Sequence, residues 1–332
     1  MPARFTLPLL AILVMLSACA GPSYNPNVAR DSARPEVGHY YSLLEAAPMM
    51  AGMNQLYDKT PDLRKGDEGE LKQSQKDKAL EMLNTIRALH ELPPVSYHPE
   101  SDINTARASL IMTANRIMTH HPKKNLKFWS EEGAKGAATS NLFHGSLNGY
   151  GAVGFSTEYF MNNWIIDNEV ESLGHRRWML SPSLKYTSFG RVDGNGVSSA
   201  ALKVIFDERQ DPGDKVAYVA YPYKEYPAAL FNGNWYLSFS ALRPTGTASE
   251  TPAPAKYKKL VDYKKAKIHV YDENGKRLGV HKVKYSYDGF GVDNVLQWKV
   301  KKLAVNRQYR VVIKNVLLKG IKTDYEYTFK LI

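Results

Sequence analysis

The chain contains a single cysteine, Cys19, among 332 residues. A disulfide needs two cysteines, so no disulfide within the chain can stabilise its fold, and each domain must be stable through packing alone. The apolar run at residues 7–16 is too short to cross a bilayer as a permanent helix. The H-E-x-x-H motif of metalloproteases and the G-x-S-x-G motif of serine hydrolases are both absent. No internal repeat or low-complexity block is present.

The charge is unbalanced toward lysine and arginine, with 44 basic against 33 acidic residues and a net charge of +11. The basic excess is concentrated toward the C-terminus and includes a cluster at Lys256, Lys258, Lys259, Lys264, Lys265 and Lys267. No nucleic-acid-binding motif accompanies it, so we expect no nucleic acid partner. A solvated basic face explains the cluster, and contact with anionic lipid or a cell-envelope polymer is the alternative.

The first 19 residues predict export. Arg4 precedes the apolar run, and small residues precede Cys19, as in a secretory signal. The segment LSAC at 16–19 resembles the bacterial lipobox, in which the signal is cut before a cysteine that becomes lipid-modified. An ordinary signal peptide with an incidental cysteine is the alternative, but Cys19 is the only cysteine. The sequence therefore predicts a lipid-anchored protein of the bacterial cell envelope, and Ala20, which is not aspartate, favours the outer membrane where the organism has one.

The length and the patterning predict four segments. Residues 1–18 are a lipoprotein signal peptide, and 19–75 are a tether and N-terminal extension. Residues 76–210 form an α+β domain, in which helices are predicted from about residue 76 to the Pro93-Pro94 pair, at 101–119 and at 156–168, with an irregular stretch at 128–148 and strands at 186–192 and 200–206. Residues 211–332 contain about seven short strands separated by turn signals, which predicts an immunoglobulin-like β-sandwich.

Four segments of the first domain resemble the CAP superfamily, which comprises cysteine-rich secretory proteins, antigen 5 and pathogenesis-related proteins. They are MLNTIR at 82–87 followed by LPPV at 92–95, RIMTH at 116–120, WIID at 164–167 and GHRR at 174–177. Each motif alone is unspecific, but all four occur in the family's order over residues 82–177. The resemblance implies an α-β-α sandwich with a central cleft that is lined by two histidines and two acids.

The resemblance transfers three cleft residues to this sequence: His120, Asp167 and His175. The family's first acid, in G-E-N-[IL], has no counterpart, because TSNL at 139–142 places Ser140 where the glutamate is expected. Glu169 and Glu171 are candidates to replace that acid. His121 competes with its neighbour His120, and His144 is a further unassigned candidate.

Several functions are compatible with these residues. The cleft is expected to bind a small or lipid-like ligand, and His120 and His175 with Asp167 nearby could hold zinc or another divalent cation. The alternatives are a peptidase-like hydrolase that uses the same cleft, with Ser140 as a weak nucleophile candidate, and a hydrogen-bonded polar cluster that only stabilises the fold. A third alternative is a non-catalytic envelope or adhesion protein that acts through aromatic residues of the β domain, including Trp235, Tyr285, Tyr287 and Trp298.

Overall fold

The computed structural model describes residues 34–45, 47–147, 152–211, 216–242 and 260–332. The predicted signal peptide and Cys19 lie outside these residues, as do Lys256, Lys258 and Lys259. No helix in the described ranges is both long and apolar enough to span a membrane.

Seven α-helices are described: α1 Pro35–Glu45, α2 Met53–Leu56, α3 Gln73–Leu89, α4 Asp102–Asn115, α5 Glu131–Ala138, α6 Thr157–Ile166 and α7 Gly174–Met179. The strands up to residue 203 are β1 Met50–Gly52, β2 Tyr57–Lys59, β3 Glu70–Leu71, β4 Ser96–Tyr97, β5 Ser140–Ser146, β6 Val153–Phe155, β7 Tyr186–Gly194 and β8 Val197–Lys203. Those that follow are β9 Tyr218–Tyr221, β10 Lys224–Tyr226, β11 Leu237–Ala241, β12 Val261–Asp262, β13 Lys267–Tyr271, β14 Arg277–Leu278, β15 Val280–Ser286, β16 Val295–Val300, β17 Gln308–Leu318 and β18 Ile321–Leu331.

The N-terminal extension is folded onto the rest of the chain from residue 34 onward. Helix α1 buries Val37, Tyr40 and Tyr41. The Tyr41 hydroxyl donates to the carbonyl of Ile332 at 2.5 Å, which ties the extension to the last residue of the chain. Strand β1 pairs antiparallel with β6. The part of the extension that the structure describes is therefore a packed element of the fold.

The α+β fold class is confirmed, and its first half has three layers. A four-stranded sheet has the order β4-β7-β8-β5. On one face, Leu142 and Ala201 pack with Ala108 and Met112 of α4 and with Ala137 of α5. On the other face, Phe143 and Phe189 lie 4.9 Å and 6.3 Å from Phe160 of α6. This arrangement places helices on both faces of the sheet, as the family resemblance implies.

The second half is a sandwich of two sheets. One sheet has the order β10-β18-β17-β13-β14, with β12 paired to β17, and the other has the order β15-β16-β11-β9. The sheets face each other, because Phe239 of β11 lies 5.0 Å from Tyr325 and 6.4 Å from Tyr327 of β18. The pairing of β10 with β18 is parallel. The immunoglobulin-like topology stays a prediction.

Helix α4 differs from its predicted range. It ends at Asn115 rather than near residue 119, because Arg116 adopts a left-handed conformation with φ of 53°. A residue with positive φ cannot continue a right-handed helix. His120 therefore lies in the connection between α4 and α5, four residues beyond the helix cap.

Candidate functional site

Asp167 and His175 form a hydrogen-bonded pair. Asp167 caps the C-terminal end of α6 in a left-handed conformation, with φ of 52°. Its Oδ1 lies 2.8 Å from Nδ1 of His175, and its Oδ2 accepts the backbone N–H of Arg176 at 3.2 Å. The Asp167 side chain is fully buried, whereas that of His175 is 20% exposed. The carboxylate thus fixes the ring of a histidine that remains in contact with solvent.

The imidazole of His120 is held in the same way by a different acceptor. Its Nδ1 lies 2.9 Å from the carbonyl oxygen of Ala137, in the last turn of α5. A carbonyl oxygen can only accept, so Nδ1 of His120 carries the hydrogen of this bond. Residue 120 is itself exposed.

Both histidines therefore use Nδ1 to contact the protein. A carboxylate or carbonyl at Nδ1 sets the tautomer that leaves Nε2 unprotonated in the neutral ring. Within the described ranges, neither Nε2 has a hydrogen-bond partner. Such a nitrogen can accept a hydrogen bond, take up a proton or coordinate a metal.

Strand β5 separates Ser140 from His175. Successive side chains of a strand point to opposite faces of its sheet. The Asn141 side chain donates to the carbonyl of His175 at 3.0 Å. Leu142 lies on the other face, with α4 and α5, and Ser140 shares that face. The family's missing acid is therefore replaced here by a serine that points away from the Asp167–His175 pair.

Among the described residues, none of the remaining candidates is hydrogen-bonded to Asp167 or His175. His121 is exposed. Glu171 binds Lys284 of β15 at 2.6 Å, and Glu169 is exposed in the same connection. His144 lies on β5, and its Nδ1 is 3.0 Å from the hydroxyl of Ser199. Burial, and secondarily Arg116, lowers the pKa of His144.

The arginines of the GHRR segment are buried contacts to the β domain, a role that their sequence does not reveal. The Arg176 guanidinium donates to the Tyr236 carbonyl at 2.9 Å and lies 3.7 Å from the ring centre of Tyr221. Arg177 donates to the carbonyl of Val292 at 2.7 Å. Two adjacent arginines beside a candidate site histidine would suggest, from sequence, that they contact a ligand. Their partners in the second half of the molecule are Tyr221, Tyr236 and Val292, which lie more than forty residues further along the chain.

The donor set does not fit a three-ligand metal site. A catalytic zinc ion takes three protein ligands. In the parts of the chain that are described, no three His, Cys, Asp or Glu side chains are grouped to hold a metal. A two-histidine metal site at His120 and His175 stays a prediction.

Two grooves in the described structure are lined by residues other than the candidate site histidines His120 and His175. One, of about 420 Å³, runs between α1 and α3 and is lined by residues that include His39, Asp77 and Glu81. The other, of about 490 Å³, lies in the β-sandwich and is lined by residues that include Ile268, Arg277 and Val283. Neither lining includes His120, Asp167 or His175.

Comparison with known proteins identifies the first domain. The model of the cysteine-rich secretory protein family, CAP, matches residues 80–206. A solved extracellular protein from Bacillus anthracis strain Ames, which contains an SCP domain, is 12% identical over 40% of this chain, with a TM-score of 0.27. The CAP domain of enterococcal PrgA is 11% identical over 57% of the chain, with a TM-score of 0.29.

The match spans 41% of the length of the Bacillus protein and 88% of the PrgA domain. No curated protein matches the chain. The assignment therefore depends on the family model, whose range contains the four motifs and the residues His120, Asp167 and His175. Residues 80–206 are therefore similar to the CAP domain of the cysteine-rich secretory protein family, and this match covers less than half of the chain.

Proposed function

We propose that this chain is an exported, lipid-anchored protein whose CAP domain binds a small or lipid-like ligand at His120 and His175. The observation that carries the proposal is the shared geometry of the two imidazoles. Each has Nδ1 fixed by a protein acceptor, at 2.9 Å and 2.8 Å, so that Nε2 is left for another partner. A neutral Nε2 accepts a hydrogen bond, so the ligand is expected to present a hydroxyl or N–H group.

A hydrolase that uses the same cleft is the second candidate. A carboxylate that orients a histidine through Nδ1 makes Nε2 a general base. Ser140 is not its nucleophile in this proposal, because the serine lies on the other face of the sheet. The histidine would instead take a proton from water as the water adds to a carbonyl carbon, and would give that proton to the leaving amine or alcohol as the scissile bond breaks.

The lipid anchor is proposed from the LSAC segment alone. Modification of Cys19 would retain the protein in the membrane fraction, and Cys19→Ser would release it or leave it unprocessed.

Thermal unfolding tests the cleft. We expect zinc or 1-decanol, added separately to the protein that starts at residue 20, to raise the midpoint, because a ligand of the native state stabilises it by mass action. EDTA should reverse the effect of zinc. His120→Ala, His175→Ala and Asp167→Asn should each reduce the rise.

His121→Ala is the matched control, since it removes the exposed neighbour of His120 and should leave the rise intact. If His121→Ala reduces the rise in the midpoint as much as His120→Ala does, the assignment of His120 is wrong. If neither zinc nor 1-decanol raises the midpoint, the cleft binds neither a metal ion nor a lipid-like alcohol. Turnover of peptide or ester substrates that is lost in His175→Ala would favour the hydrolase instead.

A further inference from the structure

The segment that joins Asp167 to His175 has a conformation that needs support from outside itself. Asp167, Glu169 and Leu173 all have positive φ, at 52°, 67° and 52°. A residue other than glycine is less stable in this conformation than in a right-handed backbone, because its Cβ crowds the following carbonyl oxygen. Leu173 also precedes α7 without a side-chain cap. Contacts elsewhere must hold this backbone in place.

Arg176 supplies contacts on both sides of Asp167. Its backbone N–H donates to Oδ2 of Asp167, while its guanidinium donates to the carbonyls of Ile165 at 3.0 Å and Ile166 at 2.6 Å. These two carbonyls immediately precede Asp167. Arg176 therefore binds both the backbone that precedes Asp167 and the Asp167 carboxylate.

The β domain fixes the other side of the same guanidinium. Nη1 of Arg176 donates to the carbonyl of Tyr236 at 2.9 Å and to the hydroxyl of Ser238 at 3.3 Å. The ring of Tyr221 stacks on the guanidinium at 3.7 Å. The side chain is 1% exposed, so these interactions occur away from water.

Further contacts bind the rest of the segment to the β domain. The Asn232 side chain donates to Oδ1 of Asn168 at 3.0 Å, and that of Gln297 donates to the carbonyl of Glu171 at 2.8 Å. Leu173 is buried in a cluster with Tyr236 and Val295. The sheet of order β15-β16-β11-β9 and the loop before β11 thus contact several points of the segment, while Glu169 and Glu171 stay exposed.

We propose that the β domain is a working part of the cleft, and that Arg176 is a positioning residue through which it orients Asp167 and hence His175. The proposal deepens the proposed function and rests on it for its biological meaning. Its structural content, that the tautomer of His175 depends on a contact to the β domain, is measurable without any ligand.

Nitrogen-15 NMR of the imidazoles in the protein from residue 20 tests this. Arg176→Lys keeps the charge but loses the planar fork that reaches several acceptors. We expect the slowly exchanging Nδ1–H signal of His175 to be lost and the population of that tautomer to fall. Arg177→Lys is the matched control, because Arg177 is also buried, at 2% exposure. Its guanidinium contacts Asp288, Val292 and, at 3.4 Å, the Ser172 carbonyl near the end of the segment, but not Asp167, Ile165 or Ile166.

Loss of the signal in Arg176→Lys but not in Arg177→Lys would support the proposal. Retention in both, or loss in both, would overturn it. If Arg176→Lys does not fold, Tyr221→Leu and Tyr221→Phe replace it: the leucine variant should lose the signal and the phenylalanine variant, which keeps the stacked ring, should retain it. Failure of zinc and decanol to bind would refute the proposed function and leave this result standing.

Discussion

Ser140 is a buried hydroxyl whose oxygen has no hydrogen-bond partner in the described part of the chain. An unpaired buried polar group is unfavourable, so its removal should not destabilise the fold. We expect Ser140→Ala to leave the free energy of unfolding unchanged or to raise it by about 1 kcal/mol. Urea unfolding measures this, and zinc and decanol binding should persist.

Asn141→Ala is the control for this prediction. It removes the buried hydrogen bond to the His175 carbonyl and should lower the free energy of unfolding by about 1–3 kcal/mol. A larger loss in Ser140→Ala than in Asn141→Ala would show that Ser140 has a partner that the geometry does not reveal.

At this scale the sequence locates residues better than it orients them. The motifs predict that Asp167 and His175 lie near each other, and the structure places their side chains 2.8 Å apart. The motif alignment cannot tell which face of β5 carries Ser140, because a shift of one residue in a strand reverses the face. The roles of Arg176 and Arg177 are invisible for another reason: many of their partners are backbone carbonyls, which have no sequence signature, and the Asp288 carboxylate that pairs with Arg177 lies 111 residues further along the chain.

Helices α4 and α5 pack so closely that one added methyl group would clash between them. A Cβ at Gly136 would lie 2.0 Å from the carbonyl oxygen of Asn104, which is backbone and cannot rotate away. Alanine ordinarily favours a helix over glycine by about 0.5–1 kcal/mol. Here the clash reverses the sign, and we expect Gly136→Ala to lower the free energy of unfolding by about 1–3 kcal/mol. Chemical denaturation measures the loss.

Gly133→Ala provides the comparison within the same helix. Its nearest neighbour would be the flexible end of the Ile111 side chain, at 2.6 Å. The loss should therefore be smaller than at Gly136. Because Ala137 follows Gly136 and its carbonyl holds His120, only the Gly136 variant should also disturb the His120 imidazole signals. Equal effects at both positions would contradict the close-contact explanation.

Helices with a regular apolar stripe are predictable, and those with small residues are not. The pattern that ends at Pro93 predicts α3, which the structure places at Gln73–Leu89. The stretch at 128–148 is rich in glycine, alanine, serine and asparagine and is predicted to be irregular, yet it contains α5 and β5. Ser130 caps α5 by accepting the Gly133 N–H, and the glycines are required for contact with α4. The composition of this stretch favours a loop, but its packing against α4 stabilises a helix.

Among the described residues, the largest hydrophobic cluster extends across both halves of the molecule. The largest cluster of buried residues includes Ile86 and Trp164 of the first half and Phe239 and Trp298 of the second. The sequence predicts a boundary at residues 210 and 211 from the change in periodicity, and that division stays a prediction. The periodicity of apolar residues predicts which helices and strands form, but it does not show how extensively the two halves of the molecule pack against each other. The shared core implies that an isolated β domain would expose apolar surface, so the adhesion alternative is better tested in the full chain.

A buried histidine at the junction of the two halves should make stability depend on pH. His90 follows α3, and its Nδ1 and Nε2 contact the carbonyl of Ala220 and the hydroxyl of Tyr226 at 2.8 Å and 3.2 Å. Burial lowers the pKa of His90 from 6.5 to about 3. Between these values the unfolded chain binds a proton that the folded chain excludes. The stabilisation is therefore complete above pH 6.5 and is lost as the pH falls toward about 3.

Urea unfolding of the native protein and of His90→Gln at several pH values tests this. The native free energy of unfolding should fall by about 1.4 kcal/mol per pH unit more steeply than that of His90→Gln across this window, which corresponds to one proton. Tyr226→Phe removes one contact of the ring but leaves the imidazole buried, so the steeper slope should persist in that variant. Parallel slopes for the native protein and His90→Gln would mean that the folded chain accepts the proton on His90, which would contradict the burial of this ring at a closed junction between the two halves.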